Sequence, residues 1–253
     1  MAGAIYPDLE GQSVLITGGG SGIGAAITRR FAAQKCRVGF IDINEPASRA
    51  LADEIRAEGG SVHFEHADLR DIAALQRAIV AIRQANGPIT VLVNNAAHDE
   101  RHDTEAVTPE YFDDRIAVNL KHQFFASQAV LPDMKEAGGG SIICFGSIAW
   151  MAGMGGMPVY NACKSAVLGL TRSLARDYGP FNIRVNSIAP GWIMTQRQLD
   201  LWMSPEGEAT REAHQCIKRR LVPDDVARVA VFLSSDEASA CTNQSYIVDG
   251  GWV

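Results

Sequence analysis

A chain of 253 residues that is 47% hydrophobic and 21% charged has the composition of an ordinary globular protein and enough apolar side chains for a substantial core, so a single domain over 1–253 is expected. Its formal charge of −6, from 23 basic and 29 acidic residues with no basic block, argues against a nucleic-acid partner, which would need clustered Lys and Arg. No run approaches the ~18 apolar residues of a membrane span, MAGAIYPDLEGQ lacks an export signal, and the scattered Cys36, Cys144, Cys163, Cys216 and Cys241 read as reduced thiols, so a cytoplasmic protein without membrane contact is expected.

SVLIT at 13–17 is the first predicted strand, and it passes through a glycine-rich turn into the helical pattern GIGAAITRRFAAQ. Gly18, Gly20, Gly22 and Gly24 permit a close approach that a Cβ would obstruct, while the new helix aims free N–H groups and its positive dipole end at a pyrophosphate. A dinucleotide suits this turn, although a flexible loop has the same composition. RVGFID at 37–42 is the second strand. Asp42 at its end stands near the separation from the glycines at which a carboxylate accepts from the adenosine ribose hydroxyls; a strand-end turn residue is the plainer alternative. A 2′-phosphate beside that carboxylate would meet like-charge repulsion, with only Arg37 and Arg49 nearby, so NAD is favoured over NADP. After ASRALADEIRAEGG comes the third strand, SVHFEH at 61–66; in the ADLRD that follows, Asp68 and Leu69 are placed to meet the adenine, and Asp71 to cap the next helix.

IAALQRAIVAIRQANG leads to a fourth strand, TVLVN at 90–94, and then HDERHD at 98–103 sets two histidines four apart with acids beside them. On a loop this spacing does not bring two imidazoles to one face, so no metal is expected, and the stretch reads as a charged solvent-facing loop from which His98 or Asp99 reaches a ligand. SIICFG at 141–146 is the fifth strand. Beyond it stands Ser147, and a helix expected from Pro158 sets Tyr160 and Lys164 one turn apart on one face. Lowering a tyrosine from about 10 to ~7 takes about 4 kcal/mol, which one cation at about 4 Å supplies at an effective dielectric of about 20. Tyr160 is therefore read as a base, and Ser147 as the group that holds the substrate oxygen. A serine hydrolase is disfavoured because CFGSIAW lacks the G-x-S-x-G elbow.

AVLGLTRSLARDYG, IRVNSIA at 183–189 and SYIVD at 245–249 continue the alternation, interrupted by an insertion at about 192–222 of the kind that forms lids or binding loops. The pattern is α/β: a parallel sheet of about seven strands with helices on both faces, whose strand carboxyl ends form the ligand crevice. Beyond those ends lie His98, Asp99, Trp150, Trp192 and Met194, with Asn161 beside Tyr160. The mixture suits a sugar, whose hydroxyls bond Asp, Asn and His while indole covers a C–H face; Met151, Met154 and Met157 read equally well as packing.

In chain order, T-G-x-x-x-G-x-G from Thr17 to Gly24, Asp42, Asp68, NNAA at 94–97, Asn119, Ser147, Tyr160-x-x-x-Lys164 and PG at 190–191 resemble the short-chain dehydrogenase/reductase family across essentially the whole chain. HDERHD, SPEGEA, QCIKRRLVPDDVA and VDGGWV are similar to the bacterial sugar 1-dehydrogenases that act on D-xylose, L-arabinose and related aldoses. The resemblance implies a Rossmann-type doubly wound fold and a catalytic set of Ser147, Tyr160, Lys164 and Asn119. It adds Ser21, Ile23, Ile43, Asn95, Ala96, Ala97, Pro190, Gly191, Ile193 and Thr195 to the cofactor site, which Tyr160 and Lys164 also join. In it Lys164 binds the nicotinamide ribose, and Asn119 holds a water that connects the lysine to solvent. Ala97 departs from the family's usual Gly, and its methyl is placed to crowd the cofactor side of the strand end. The implied activity is NAD(P)-dependent oxidation of the anomeric hydroxyl of a pentose or hexose (L-arabinose, D-xylose, D-galactose or L-fucose) to the aldonolactone. The alternatives are a polyol or other secondary-alcohol dehydrogenase or ketoreductase and, outside catalysis, a dinucleotide-sensing assembly protein. The implied assembly is a homotetramer through the helices around 108–135 and 157–178.

Overall fold

The computed structural model describes residues 3–253. Apolar and β-branched runs form strands β1 (Ser13–Thr17), β2 (Arg37–Asp42), β3 (Ser61–His66), β4 (Val91–Asn94), β5 (Gly140–Phe145), β6 (Ile183–Pro190) and β7 (Ser245–Val248). All pair in parallel in the order β3-β2-β1-β4-β5-β6-β7. The chain winds outward from β1 in one direction and from β4 in the other, so a crevice opens between the carboxyl ends of β1 and β4. Register brings Thr17 beside both Ile41 and Asn94, and Asn94 beside Cys144, which lines up the strand ends that carry the site.

The crossovers are α1 (Gly22–Ala33), α2 (Glu45–Ala57), α3 (Ile72–Asn86), α4 (Pro109–Ile116), α5 (His122–Glu136) and α6 (Pro158–Tyr178), followed by α7 (Gln196–Leu201), α8 (Pro205–His214) and α9 (Pro223–Ser234). Because successive side chains of a strand point to opposite faces, Val14, Ile16, Val38, Phe40 and Ile143 pack against α1, α2 and α9, while Leu15, Leu92, Ile142 and Val185 pack against α3, α5 and α6. Each such buried side chain contributes about 1.5–3 kcal/mol, and a strand covered on both faces has little freedom to slip register. Helix starts are fixed by side-chain caps: Asn44 accepts from Ala47 N–H, Asp71 from Ala73 and Ala74 N–H, and Thr108 from Tyr111 N–H. Asp71 is thus the cap read in the sequence.

Two local features have no signal in the periodicity. A π-turn, Ala117–Lys121, joins α4 to α5 and carries Asn119. The 192–222 insertion is ordered into α7 and α8, capped by Thr195 and Ser204, with an isolated bridge between Ile193 and Leu221 at its base. Cys216 and Ile217 donate backbone N–H groups to Gly251 and Gly250, which ties the insertion to the segment after β7. Among the described residues, no helix is long and apolar enough to cross a membrane.

Candidate active site

The glycine turn between β1 and α1 is held open by its neighbours. Asn95 Nδ2 donates to the carbonyls of Thr17 (3.2 Å) and Gly18 (2.9 Å), and Ala96 N–H donates to Thr17 Oγ1 (3.2 Å). Gly18 has a φ of +66°, and a Cβ there would lie 2.8 Å from Ala96 Cα, so both conformation and space require glycine. Ser21 precedes α1 without a side-chain cap, which leaves the first N–H groups of that helix free for an anion. Asp42 is buried; its Oδ2 accepts from Gly20 N–H (2.8 Å) and its Oδ1 from Asn44 N–H (2.8 Å), leaving further lone pairs for hydroxyl donors. Neither nearby cation faces it, because Arg49 pairs with Glu45 (2.6 Å) and Arg37 donates to Gly11 O (3.0 Å). Ile43 is exposed beside Asp42 and Leu69 is buried. Hydrogen bonds from Arg70 hold the Asp68 carboxyl below its usual range. Uncapped N–H groups, a fixed carboxylate and an apolar flank fit the phosphates, ribose and adenine of a dinucleotide.

The end of β5 and the start of α6 bring Ser147, Tyr160 and Lys164 together. Tyr160 is buried with its phenol near Ser147, whose Oγ accepts from Ala149 N–H (3.1 Å). Lys164, 2% exposed, donates from Nζ to Phe145 O (2.8 Å) and sits 5.6 Å from the Tyr160 ring centroid. Burial pushes the phenol up to about 12; the Ser147 hydroxyl opposes this, the Asp99 charge adds to it and Arg101 opposes it. Burial likewise pushes Lys164 down to about 8. Dry surroundings disfavour both charged forms and the ammonium is directed at a carbonyl, so the phenolate needs the positive nicotinamide ring as well as the lysine.

Asn119 joins the site indirectly. Its Nδ2 donates to Arg115 O (3.0 Å) and His98 O (3.2 Å), and its Oδ1 accepts from His98 N–H (2.9 Å), so the side chain clamps the post-β4 loop onto the π-turn. Its carbonyl accepts from Gln123 Nε2 (3.1 Å). With both amide donors committed to protein, the side chain acts as a clamp, and a water held at Asn119 would donate to a remaining lone pair of its oxygens.

A cavity of about 310 Å³ opens at the strand ends. It gathers the triad with Ile23, Asn95, Ala97, His98, Asp99, Pro190, Gly191, Trp192, Ile193 and Thr195. Ala97, whose methyl is expected to crowd the cofactor side of the strand end, is exposed and lines the cavity. Three residues read as substrate contacts do not line it. Asn161 donates to Met154 O (2.7 Å), Met194 is buried with its N–H on Leu221 O (2.8 Å), and Trp150 lies in the turn beyond Ser147.

Arg101, Arg197, Gln198 and Trp252 do line it, and sequence reasoning missed them. Asp99 accepts from Arg197 Nε (3.1 Å) and Gln198 Nε2 (2.7 Å), while Gln198 Oε1 accepts from Trp192 Nε1 (2.9 Å). This chain straps α7 across the cavity. Each Asp99 oxygen thus takes one bond and keeps a lone pair for a hydroxyl donor, while the Trp192 N–H is engaged and its ring face is what the indole has to offer a substrate. Burial opposes ionisation of Asp99, but its bonds to Arg197 and Gln198 prevail and hold its carboxyl below the usual range. His98 Nδ1 contacts Arg115, and burial with the Arg115 and Arg197 charges pushes its imidazole down. Asp249 accepts from the N–H groups of Gly251, Trp252 and Val253, curling the segment after β7 so that Trp252 meets Trp192 edge-on, 6.3 Å apart, and stacks on His214 at 5.0 Å.

A family model described as enoyl-(acyl carrier protein) reductase matches residues 18–253. The chain is 48% identical over 247 residues to a probable galactose dehydrogenase of Rhizobium meliloti, covering 97% of this chain and 96% of that one. It is 46% identical over 252 residues to a D-xylose 1-dehydrogenase of Caulobacter vibrioides, covering 100% of both. The chain belongs to the short-chain dehydrogenase/reductase family. Among solved structures, a 7α-hydroxysteroid dehydrogenase complexed with NADH and 7-oxo glycochenodeoxycholic acid is 34% identical, with a TM-score of 0.94 over 100% of this chain and 98% of that one. The family is one of oxidoreductases that use NAD(P), and this chain is such an enzyme.

Proposed function

We propose that this oxidoreductase removes hydride from the anomeric carbon of an aldose and a proton from its hydroxyl, forming the aldonolactone, with NAD preferred to NADP. The observation that carries this is the near-full-length similarity to two enzymes named for aldoses, joined to a cavity where Ser147 and Tyr160 stand opposite indoles and hydrogen-bonding side chains. The N–H groups of the glycine turn hold the pyrophosphate, Asp42 accepts from the adenosine ribose, and Lys164 serves the nicotinamide ribose. Both of Asp42's oxygens are backed by backbone N–H groups and no free guanidinium faces it, which supports NAD. When bound, the oxidised dinucleotide accepts a hydride and carries a positive charge.

Ser147 holds the substrate oxygen and Tyr160 takes its proton. Bringing the phenol from about 12 to ~7 takes ~7 kcal/mol at ~1.36 kcal/mol per unit, more than the ~4 kcal/mol of one cation at 4 Å and an effective dielectric of 20. The Arg101 charge already acts within that value, so the Lys164 ammonium acts together with the positive charge of the oxidised nicotinamide ring. The same reading extends to a cytoplasmic homotetramer of single-domain chains, with the 192–222 insertion as the substrate loop.

The test is an initial-rate screen of D-xylose, L-arabinose, D-galactose and L-fucose, with the matching alditols, against NAD and NADP. Turnover of aldoses with lactone as first product is expected. Turnover of alditols but not aldoses overturns the anomeric assignment, and faster rates with NADP overturn the cofactor preference.

A further inference from the structure

The cavity is cationic although the chain is acidic. Against a formal charge of −6 for the whole sequence, the side chains that face the cavity include Arg101, Arg197 and Lys164, with Asp99 as the sole carboxylate among them. Asp99 is already shared: one oxygen takes Arg197 at 3.1 Å and the other takes Gln198 at 2.7 Å. Lys164 is spent on Phe145 O. Arg101 remains. Its guanidinium lies over the Trp202 ring at 4.5 Å, donates once, to the backbone carbonyl of Asp99 (3.1 Å), and stands 3.9 Å from the Asp99 carboxylate. Its side chain is 31% exposed, so most of it has left water while several of its five N–H donors have no protein acceptor.

A neutral sugar would leave two guanidiniums, Arg101 and Arg197, sharing the single Asp99 carboxylate. A carboxylate would match the planar fork with two parallel hydrogen bonds in a place where water competes less than at the surface. Trp202 fixes the plane of the fork from one face, so the donors are oriented before a ligand arrives. Arg101 and Tyr160 line one cavity of about 310 Å³.

We propose that the cavity takes aldoses that carry a carboxylate on C5, across the ring oxygen from the anomeric carbon, that is hexuronates, and that Arg101 binds this carboxylate. The proposal rests on the anomeric oxidation set out above. The C1–H bond breaks with its electron pair passing as hydride to oxidised NAD(P), the C1 hydroxyl proton passes to Tyr160, and the C1=O bond forms. The products are the lactone of the corresponding aldarate, reduced NAD(P) and one proton released to solvent.

D-Galactose and D-galacturonate differ only at C6, which makes them the probes. The expected result is a kcat/KM at least about tenfold higher for galacturonate at low ionic strength, an advantage that shrinks as salt is added. In Arg101→Met the galacturonate-to-galactose ratio of kcat/KM falls at least about tenfold, and Arg101→Lys, which keeps the charge but not the fork, falls between. Circular dichroism of both variants separates misfolding from lost recognition. Thermal shift in the presence of NADH measures binding of each sugar without turnover, and galacturonate is expected to give the larger rise. Galactose preferred or equal in both rate and thermal shift overturns the proposal, as does an unchanged ratio in a folded Arg101→Met. If no aldose is oxidised but galacturonate alone raises the melting temperature through Arg101, the pocket assignment stands and the anomeric chemistry falls.

Discussion

The triad side chains were legible because a helix start at Pro158 fixes the relation of Tyr160 to Lys164 whatever the rest of the fold does. Their ionisation was not legible, since desolvation depends on what covers them, and the covering residues come from loops far apart in sequence. Tyr160 at about 12 in the ligand-free chain predicts a definite titration: the absorbance difference between wild type and Tyr160→Phe should show the extra phenolate only near pH 12 without cofactor, and at markedly lower pH with NAD. Replacing Tyr160 by Phe should lower kcat by about 10²–10⁴-fold, as loss of a general base does. Asp42 makes a second prediction at the same scale. Asp42→Asn removes the charge while keeping an acceptor for a backbone N–H, so the NADP-to-NAD ratio of kcat/KM should rise at least about tenfold; a constant ratio would show that this carboxylate does not choose the cofactor.

At the scale of elements, the apolar runs that located the strands also set their limits, with shifts of one residue such as β4 beginning at Val91 and β6 reaching Pro190. The π-turn escaped because one extra residue in a helical turn leaves the apolar spacing almost unchanged. The strap from α7 escaped for another reason. Arg197 and Gln198 stand in a segment recognised as a substrate loop, but nothing local says that they reach back about a hundred residues to Asp99. Gln198→Leu cuts the Asp99 to Trp192 connection without touching the triad. Losing two hydrogen bonds of about 1 kcal/mol each should raise the KM for the sugar several-fold to tenfold, with a smaller change in kcat, as steady-state rates will show. A fall in kcat alone would assign Gln198 to the chemistry.

For the whole molecule, two hydrophobic layers on a parallel sheet leave little room for a buried charge, and beside the second layer lies an ionisable group that burial keeps neutral. His122, at the start of α5, is fully buried with no well-formed partner on either ring nitrogen; burial, helped by the nearby Lys164 charge, pushes it down to about 3. Folded, it stays neutral; unfolded, it binds a proton below about 6.5, so the unfolded state gains protons and stability falls as pH drops from 6.5 toward 3. At full development this is of order 5 kcal/mol. His122→Leu should flatten that acid limb, which urea midpoints at pH 7 and pH 4 will measure; an equal loss in wild type and variant would place the acid sensitivity elsewhere.

The strap across the cavity is already fastened before any sugar arrives. Gln198 stands in the cavity wall with both its amide atoms engaged, so a sugar finds that stretch of wall set in advance and spends little of its binding energy on ordering it.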